Sequence, residues 1–197
     1  MDDEEINLPE LLKGRSIAAF LSEGEPGQFI TAEQFLVQLG EGLWHTTSPH
    51  RYNGILKAKA VLPEPGIPDS ERWKTAAGPK HYPYVRSLGG VSLFDFKGFE
   101  PESYRSAYPM STWQEFVPYI NSWGAAVWLE IDRGAASKSL IDPKALVEKW
   151  NREKAHGHTL MPMIEAAHLG PIPIQRICRV LLIDGLKSSI DELPVPR

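Results

Sequence analysis

Apolar residues recur at helical spacing through Leu8, Leu11, Leu12, Ile17, Ala18, Phe20 and Leu21, broken near Gly14, and predict a helix across that stretch. Thr31 stands three residues before Gln34, a capping-box spacing, ahead of Phe35, Leu36, Val37 and Leu39, with Gly40 and Gly42 as the stop. Residues 1–42 therefore read as a helical extension capping the rest of the chain. Leu43-Trp44-His45-Thr46-Thr47 then reads as a short strand, and Ser48-Pro49 opens a helix to about Lys59 with Tyr52, Ile55, Leu56 and Ala60 facing inward. Ala60–Leu62 predicts a second short strand. Residues 64–80 carry Pro65, Gly66, Pro68, Gly78 and Pro79 and form a long irregular stretch; with Trp73 inside it and Tyr82 and Tyr84 just beyond, it is expected to be an ordered binding loop.

Downstream, Val91–Phe96 alternates with period two, so Ser92, Phe94 and Phe96 share one face and Val91, Leu93 and Asp95 the other. A helical stretch is expected after Ser111-Thr112, weakened in its middle by Pro118, and Ala125–Ile131 (AAVWLEI) is the clearest strand. Asp142-Pro143 opens a helix to about Lys154. Strands are expected over Thr159–Ala167 and Arg176–Ile183, with a loose tail from residue 186 to 197. Helices and short strands alternate without a regular βαβ rhythm or a Gly-rich phosphate loop. That predicts an α+β fold with a mainly antiparallel sheet.

Composition narrows the classes. The chain has 197 residues, 42% hydrophobic and 23% charged, which excludes disorder as its main state; 17 Pro and 16 Gly favour a loop-rich fold. A formal net charge of -4 speaks against wrapping nucleic acid by bulk electrostatics, although 21 Lys and Arg leave room for a local basic groove. Cys178 is the sole cysteine, so no internal disulfide and no Cys-based zinc site can form. The acidic start Met1-Asp2-Asp3-Glu4-Glu5 lacks an apolar signal region, and no apolar run approaches the ~18 residues of a membrane span, so a cytoplasmic protein with no membrane partner is expected.

Three polar interruptions of apolar strands are candidates for chemistry. His45, flanked by Thr46 and Thr47, can donate a ring N–H to a ligand, or be a core histidine satisfied by backbone. Ser92 beside two aromatic rings suits a planar heteroaromatic ligand, or simply fills a tight spot. Glu165 lies in an apolar run, sharing a face with Met163 and Ala167 if the strand over 159–167 forms; it is either desolvated and used, or an edge residue facing water. His156-Gly157-His158 with Glu165 or His168 has no familiar zinc spacing and reads as a polar turn, so no metal is expected.

In their order these segments resemble the ADP-ribosyltransferase fold, in the bacterial toxin and phage-defence branch that includes DarT-like DNA-targeting enzymes. The likeness is carried by LWHTT (43–47) running into SPHRYNGILKAKAVL (48–62), where His45, Thr47, Ile55 and Leu56 fit the pattern. GVSLFDF (90–96), AVWLEIDRG (126–134) and IEAAHLGPIPIQRICRVLLI (164–183) come next, the last placing Glu165 in the catalytic slot. The likeness covers about residues 43–183; Ser92 at the middle motif leaves the His-Tyr-Glu and Arg-Ser-Glu subclasses open. It implies a catalytic domain over 43–185 with two small mainly antiparallel sheets forming a cleft for NAD as co-substrate. It further implies that His45 holds ribose or adenosine-side hydroxyls, that the backbone near Thr46 holds the carboxamide, and that Phe94 and Tyr84 stack on nicotinamide. Arg51 or Arg86 would face the pyrophosphate, and loop 64–80 would close over the adenosine side or meet the target. Glu165 would hydrogen-bond the nicotinamide-ribose 2′-hydroxyl and stabilise the developing cation. The implied activity is mono-ADP-ribosyl transfer to a macromolecular acceptor, nucleic acid or protein, by a toxin or defence effector with a possible antitoxin partner. Two alternatives are an RNA 2′-phosphotransferase of the same fold, which needs an Arg and His cluster that the sequence does not place near His45 or Ser92, and a protein-interaction module presenting exposed Trp73, Trp113 and Trp123.

Overall fold

Thr31 begins the first helix in the computed structural model, which describes residues 30–185 and 187–197; the helix expected over Leu8–Leu21 lies outside the described residues. The hydroxyl of Thr31 accepts the Gln34 N–H and the Gln34 side chain returns the bond, so the capping box sets the start of α1 (Ala32–Leu39). Strand β1 is Leu43–Thr47. Ser48 caps α2 (Pro49–Ala58), which stops at Lys59 in a left-handed conformation, φ 52°. After β2 (Ala60–Val61) the chain loops out with only single 3-10 turns at Asp69–Glu71 and Pro79–His81, then returns through α3 (Tyr84–Ser87) to β3 (Gly90–Asp95). α4 (Pro101–Ala107), β4 (Ala125–Ile131), α5 (Arg133–Ala136) and β5 (Leu140–Ile141) come next. Asp142 accepts the Ala145 N–H to cap α6 (Pro143–Arg152), and β6 (Glu165–Leu169), β7 (Ile172–Pro173), β8 (Ile177–Asp184) and β9 (Ser189–Leu193) complete the described chain.

Among the described residues seven strands form one sheet in the order β5-β6-β3-β1-β4-β8-β9, with β2 and β7 paired apart from it, and every pairing is antiparallel. Fold class is therefore α+β, as the pattern predicts. The division expected, two small sheets, is corrected to one large sheet and one two-stranded ribbon. Both faces of the large sheet are covered. Leu43, Leu93, Val127 and Leu129 pack beneath Tyr52 and Ile55 of α2, while Trp44, Phe94, Ala126 and Trp128 pack with Phe35 and Leu39 of α1 and with Trp113 and Phe116. A central strand apolar on both sides reads as a continuous run, which is why AAVWLEI is legible as a strand.

Several boundaries are corrected. The strand expected over 159–167 begins only at Glu165 and runs to Leu169, because Met163 is left-handed (φ 61°) and the Glu165 N–H closes a turn onto the Met161 carbonyl at 2.9 Å. Met163 thus leaves the strand and stands 42% exposed. The stretch after Thr112 makes a single turn, Trp113–Glu115. The tail is not loose: Ser189–Leu193 pairs with Val180–Asp184 at the sheet edge. At the other end Phe35 and Leu39 of α1 pack in one cluster with Trp44, Phe94 and Trp128. Among the described residues no helix is long and apolar enough to cross a membrane.

Candidate active site

Strands β1 and β3 run side by side but pair only at Leu43↔Asp95 and Trp44↔Phe94. On its far side β3 sends the Asp95 N–H to the Ile164 carbonyl, so the peptide groups of Phe94 and Ser92 face β1. Trp44 answers Phe94. By the same alternation the Thr46 peptide also faces β3, where no residue is in register with it. The Ser92 carbonyl that would meet it is taken instead by His45 Nδ1, at 3.0 Å. A side chain has replaced a backbone rung, and the sheet opens there.

The opening leads into a cavity of about 540 Å³ lined by His45, Thr46, Thr47, Ser92, Phe94 and Glu165 among others. That volume falls within the range of small-molecule sites. Glu165 starts β6 opposite Phe94 and is only 3% exposed. Its Oε1 accepts the Ser92 hydroxyl at 2.7 Å, and its Oε2 accepts the Met161 N–H at 2.9 Å. Burial pushes the carboxyl above its ordinary pKa, and these two donors oppose that rise by favouring the ionised form. The two oxygens retain lone pairs for a further donor.

His45 carries the opposite shift: burial lowers its pKa, with the Ser92 carbonyl pulling the other way. A carbonyl only accepts, so Nδ1 holds the proton and the neutral ring presents Nε2 as an acceptor. Of the two readings of His45, a ligand donor or a histidine satisfied by backbone, the Nδ1 contact with the Ser92 carbonyl fits the second. Thr46 Oγ1 is buried without a hydrogen-bond partner among the described residues, and Thr47 is 5% exposed.

Tyr84 does not join the site. It packs with Val85, Leu146 and Ala167, and its hydroxyl donates to Glu153 at 2.6 Å. Burial and that carboxylate push the phenol's pKa up. Other rings gather at the cavity: Phe94 packs against Phe96 at 5.5 Å and against Phe116 at 5.4 Å, and Trp73 meets Phe116 edge-on at 4.8 Å; Phe94, Trp73, Phe116 and Trp123 line it. Trp113, expected to be exposed, is buried.

Arginine placement is a second correction. Arg51, Arg72 and Arg86, with His50, line the same cavity as His45 and Ser92, although they are scattered in sequence. Arg51 donates to the Glu71 carbonyl, and burial lowers its pKa. Arg72 pairs with Glu64 at 2.5 Å, and Arg86 with Glu64 at 3.0 Å and Asp69 at 2.8 Å. The loop over 64–80 is thereby tied down as one wall, consistent with its ordering. His158 and His168 point Nδ1 at the Tyr82 and Gly170 carbonyls, and among the described residues no cluster of His, Cys, Asp and Glu has the makings of a metal site. Compared with protein-family models, curated proteins and solved structures, the chain matches none.

Proposed function

We propose that the chain is an NAD-dependent mono-ADP-ribosyltransferase acting on a macromolecular acceptor. The observation that carries the reading is the convergence of His45, Ser92 and Glu165, from three strands, on one cavity at the place where the sheet parts. Arg51, Lys57, Arg72 and Arg86 line the cavity; Arg72 and Arg86 are already paired with Glu64 and Asp69, so an anionic dinucleotide is met by Arg51, Lys57 and the unpartnered Arg86 Nη1.

In this reading the nicotinamide ring lies among Phe94, Phe116 and Trp73, and its carboxamide meets the outward Thr46 peptide. His45 Nε2 accepts a ribose hydroxyl. Glu165 accepts the 2′-hydroxyl of the nicotinamide ribose. As the glycosidic C–N bond breaks, its electron pair leaves with nicotinamide and positive charge grows on the ribose, where the buried carboxylate offsets it. A charge fixed in a dry site acts more strongly than in water. The acceptor's nucleophile then forms the new bond to C1′, and its proton passes to Glu165 or to water. The pyrophosphate faces the arginine wall.

A second reading has a specific observation behind it. The gathering of Arg51, Arg72, Arg86 and His50 beside His45 is the kind of cluster that an RNA 2′-phosphotransferase of the same fold needs. Incubation with labelled NAD and separated DNA, RNA and protein fractions tests both. Nicotinamide release with label on one fraction is expected; a cyclic ADP-ribose phosphate formed from 2′-phosphorylated RNA would favour the second reading, and no turnover with any fraction would overturn both. A toxin or defence role, with an antitoxin partner, rests on the resemblance alone.

A further inference from the structure

The carboxylate of Glu165 is held from two sides, and one of them is an irregular segment. Residues 154–164 join α6 to β6, and the Met161 N–H that binds Glu165 Oε2 belongs to it. On its C-terminal side Met161 is fixed by the turn its carbonyl makes with the Glu165 N–H and by burial of its side chain; the N–H lies on the other side, in the irregular run. At its far end the segment is tied to β3 by the Ile164 carbonyl. At its near end it is tied to residues 82–84: His158 Nδ1 donates to the Tyr82 carbonyl at 2.7 Å, and the Thr159 carbonyl accepts the Tyr84 N–H at 2.8 Å. The Trp150 indole donates to the His158 carbonyl at 3.2 Å, which fixes the backbone that carries the ring.

Tyr82 in turn is bound to the loop and to Arg86, and Arg86 lines the cavity. The Tyr82 hydroxyl donates to Asp69, and its ring lies 3.8 Å beneath the Arg86 guanidinium, which is itself paired with Asp69 and Glu64. A continuous path of hydrogen bonds and short backbone runs therefore leads from the loop through Tyr82, His158 and Met161 to Glu165. His158 is the one side chain within 154–164 that hydrogen-bonds residues 82–84.

We propose that His158 is a positioning residue for Glu165: by clamping residues 158–161 to the Tyr82 backbone it holds the Met161 N–H on the carboxylate. The proposal deepens the transferase reading, but the placement of the carboxylate can be measured without it. Releasing the clamp weakens one of the two donors to Glu165, and the carboxyl then titrates higher. Among titratable groups, Tyr104 on α4 interacts with the Glu165 charge and His45 on β1 lines the same cavity, while the ring of His158 meets Tyr84 and the Tyr82 carbonyl.

The test compares His158→Leu with His158→Asn, whose amide N–H can stand in for Nδ1–H. Glu165 is titrated by carboxyl-carbon NMR in the full chain, and nicotinamide release is followed against pH. His158→Leu should raise the Glu165 carboxyl pKa by about one unit, the worth of one weakened bond to an ionised group. It should lower turnover about tenfold below the acid limb, with KM for NAD unchanged. His158→Asn should restore both. An unmoved Glu165 titration in a folded His158→Leu protein overturns the proposal even if NAD is consumed. A shifted and Asn-rescued titration upholds it even if NAD is not turned over, in which case only the transferase reading falls. Should His158→Leu fail to fold, a Glu165 titration in His158→Ala decides: that variant also removes the bond to the Tyr82 carbonyl, and an upward shift is required.

Discussion

Replacing Ser92 with alanine isolates the contribution of one hydroxyl to the site. The Ser92 Oγ–H reaches Glu165 Oε1 at 2.7 Å, and Glu165 is 3% exposed, so solvent hardly dilutes the bond. Hydrogen bonds to ionised groups contribute ~1.5–3 kcal/mol; a water entering from the cavity recovers part of that, leaving a net loss of about 1.4–2 kcal/mol. Such a loss equals a rise of about 1–1.5 pKa units. Burial already places this carboxyl above its ordinary value, with the hydroxyl among the groups restraining it, so the variant moves further in the same direction. On the proposed mechanism turnover needs the ionised form and falls as pH drops through the folded pKa. Ser92→Ala should therefore shift the acid limb of nicotinamide release upward by about one unit and cost about tenfold below it, with near-normal rates well above it. Stability obeys the same linkage. A carboxyl raised in the folded state contributes most below its unfolded pKa, and that contribution is lost as pH rises through the folded pKa. The stability gap between variant and wild type in denaturant melts should accordingly widen from acid to neutral pH. An unmoved acid limb, or an equal loss at every pH, would refute the idea that Ser92 acts through Glu165.

Three other outcomes are expected. Glu165→Gln should abolish nicotinamide release while circular dichroism and melting stay near wild type, because the amide oxygen can take the Met161 N–H and the amide nitrogen can donate to Ser92 Oγ. Tyr84→Phe should leave KM for NAD unchanged in a steady-state assay and lower the melting temperature slightly, since Tyr84 lies in another cluster with its hydroxyl on Glu153. Trp128→Ala should cost ~3–5 kcal/mol in denaturant unfolding, as the indole is wholly buried between Phe35 and Phe94 and its N–H bonds the Pro118 carbonyl at 2.8 Å.

Where local chemistry decides, the chain is readable. The capping box at Thr31, the Ser48-Pro49 and Asp142-Pro143 helix starts and the twofold alternation of Val91–Phe96 act within a few residues, and each appears in the fold. Thr159–Ala167 misleads because its apolar content resembles a strand, while Pro162 and a left-handed Met163 turn the chain until Glu165. The tail has no strong pattern of its own, and β9 exists because β8 offers it an edge.

Sequence alone determined the α+β class, most helix starts, and that His45, Ser92 and Glu165 are polar residues set in apolar strands, since these depend on spacing and on backbone chemistry close in the chain. Tertiary structure decided what stands beside what. It placed β3 between β1 and β6, so that Ser92 links an imidazole 47 residues away to a carboxylate 73 residues away. It also turned Tyr84 into core and gathered three distant arginines on one wall. Strand order and burial are set by the packing of the whole chain, and the pKa shifts of His45 and Glu165 arise only once water has been excluded from both.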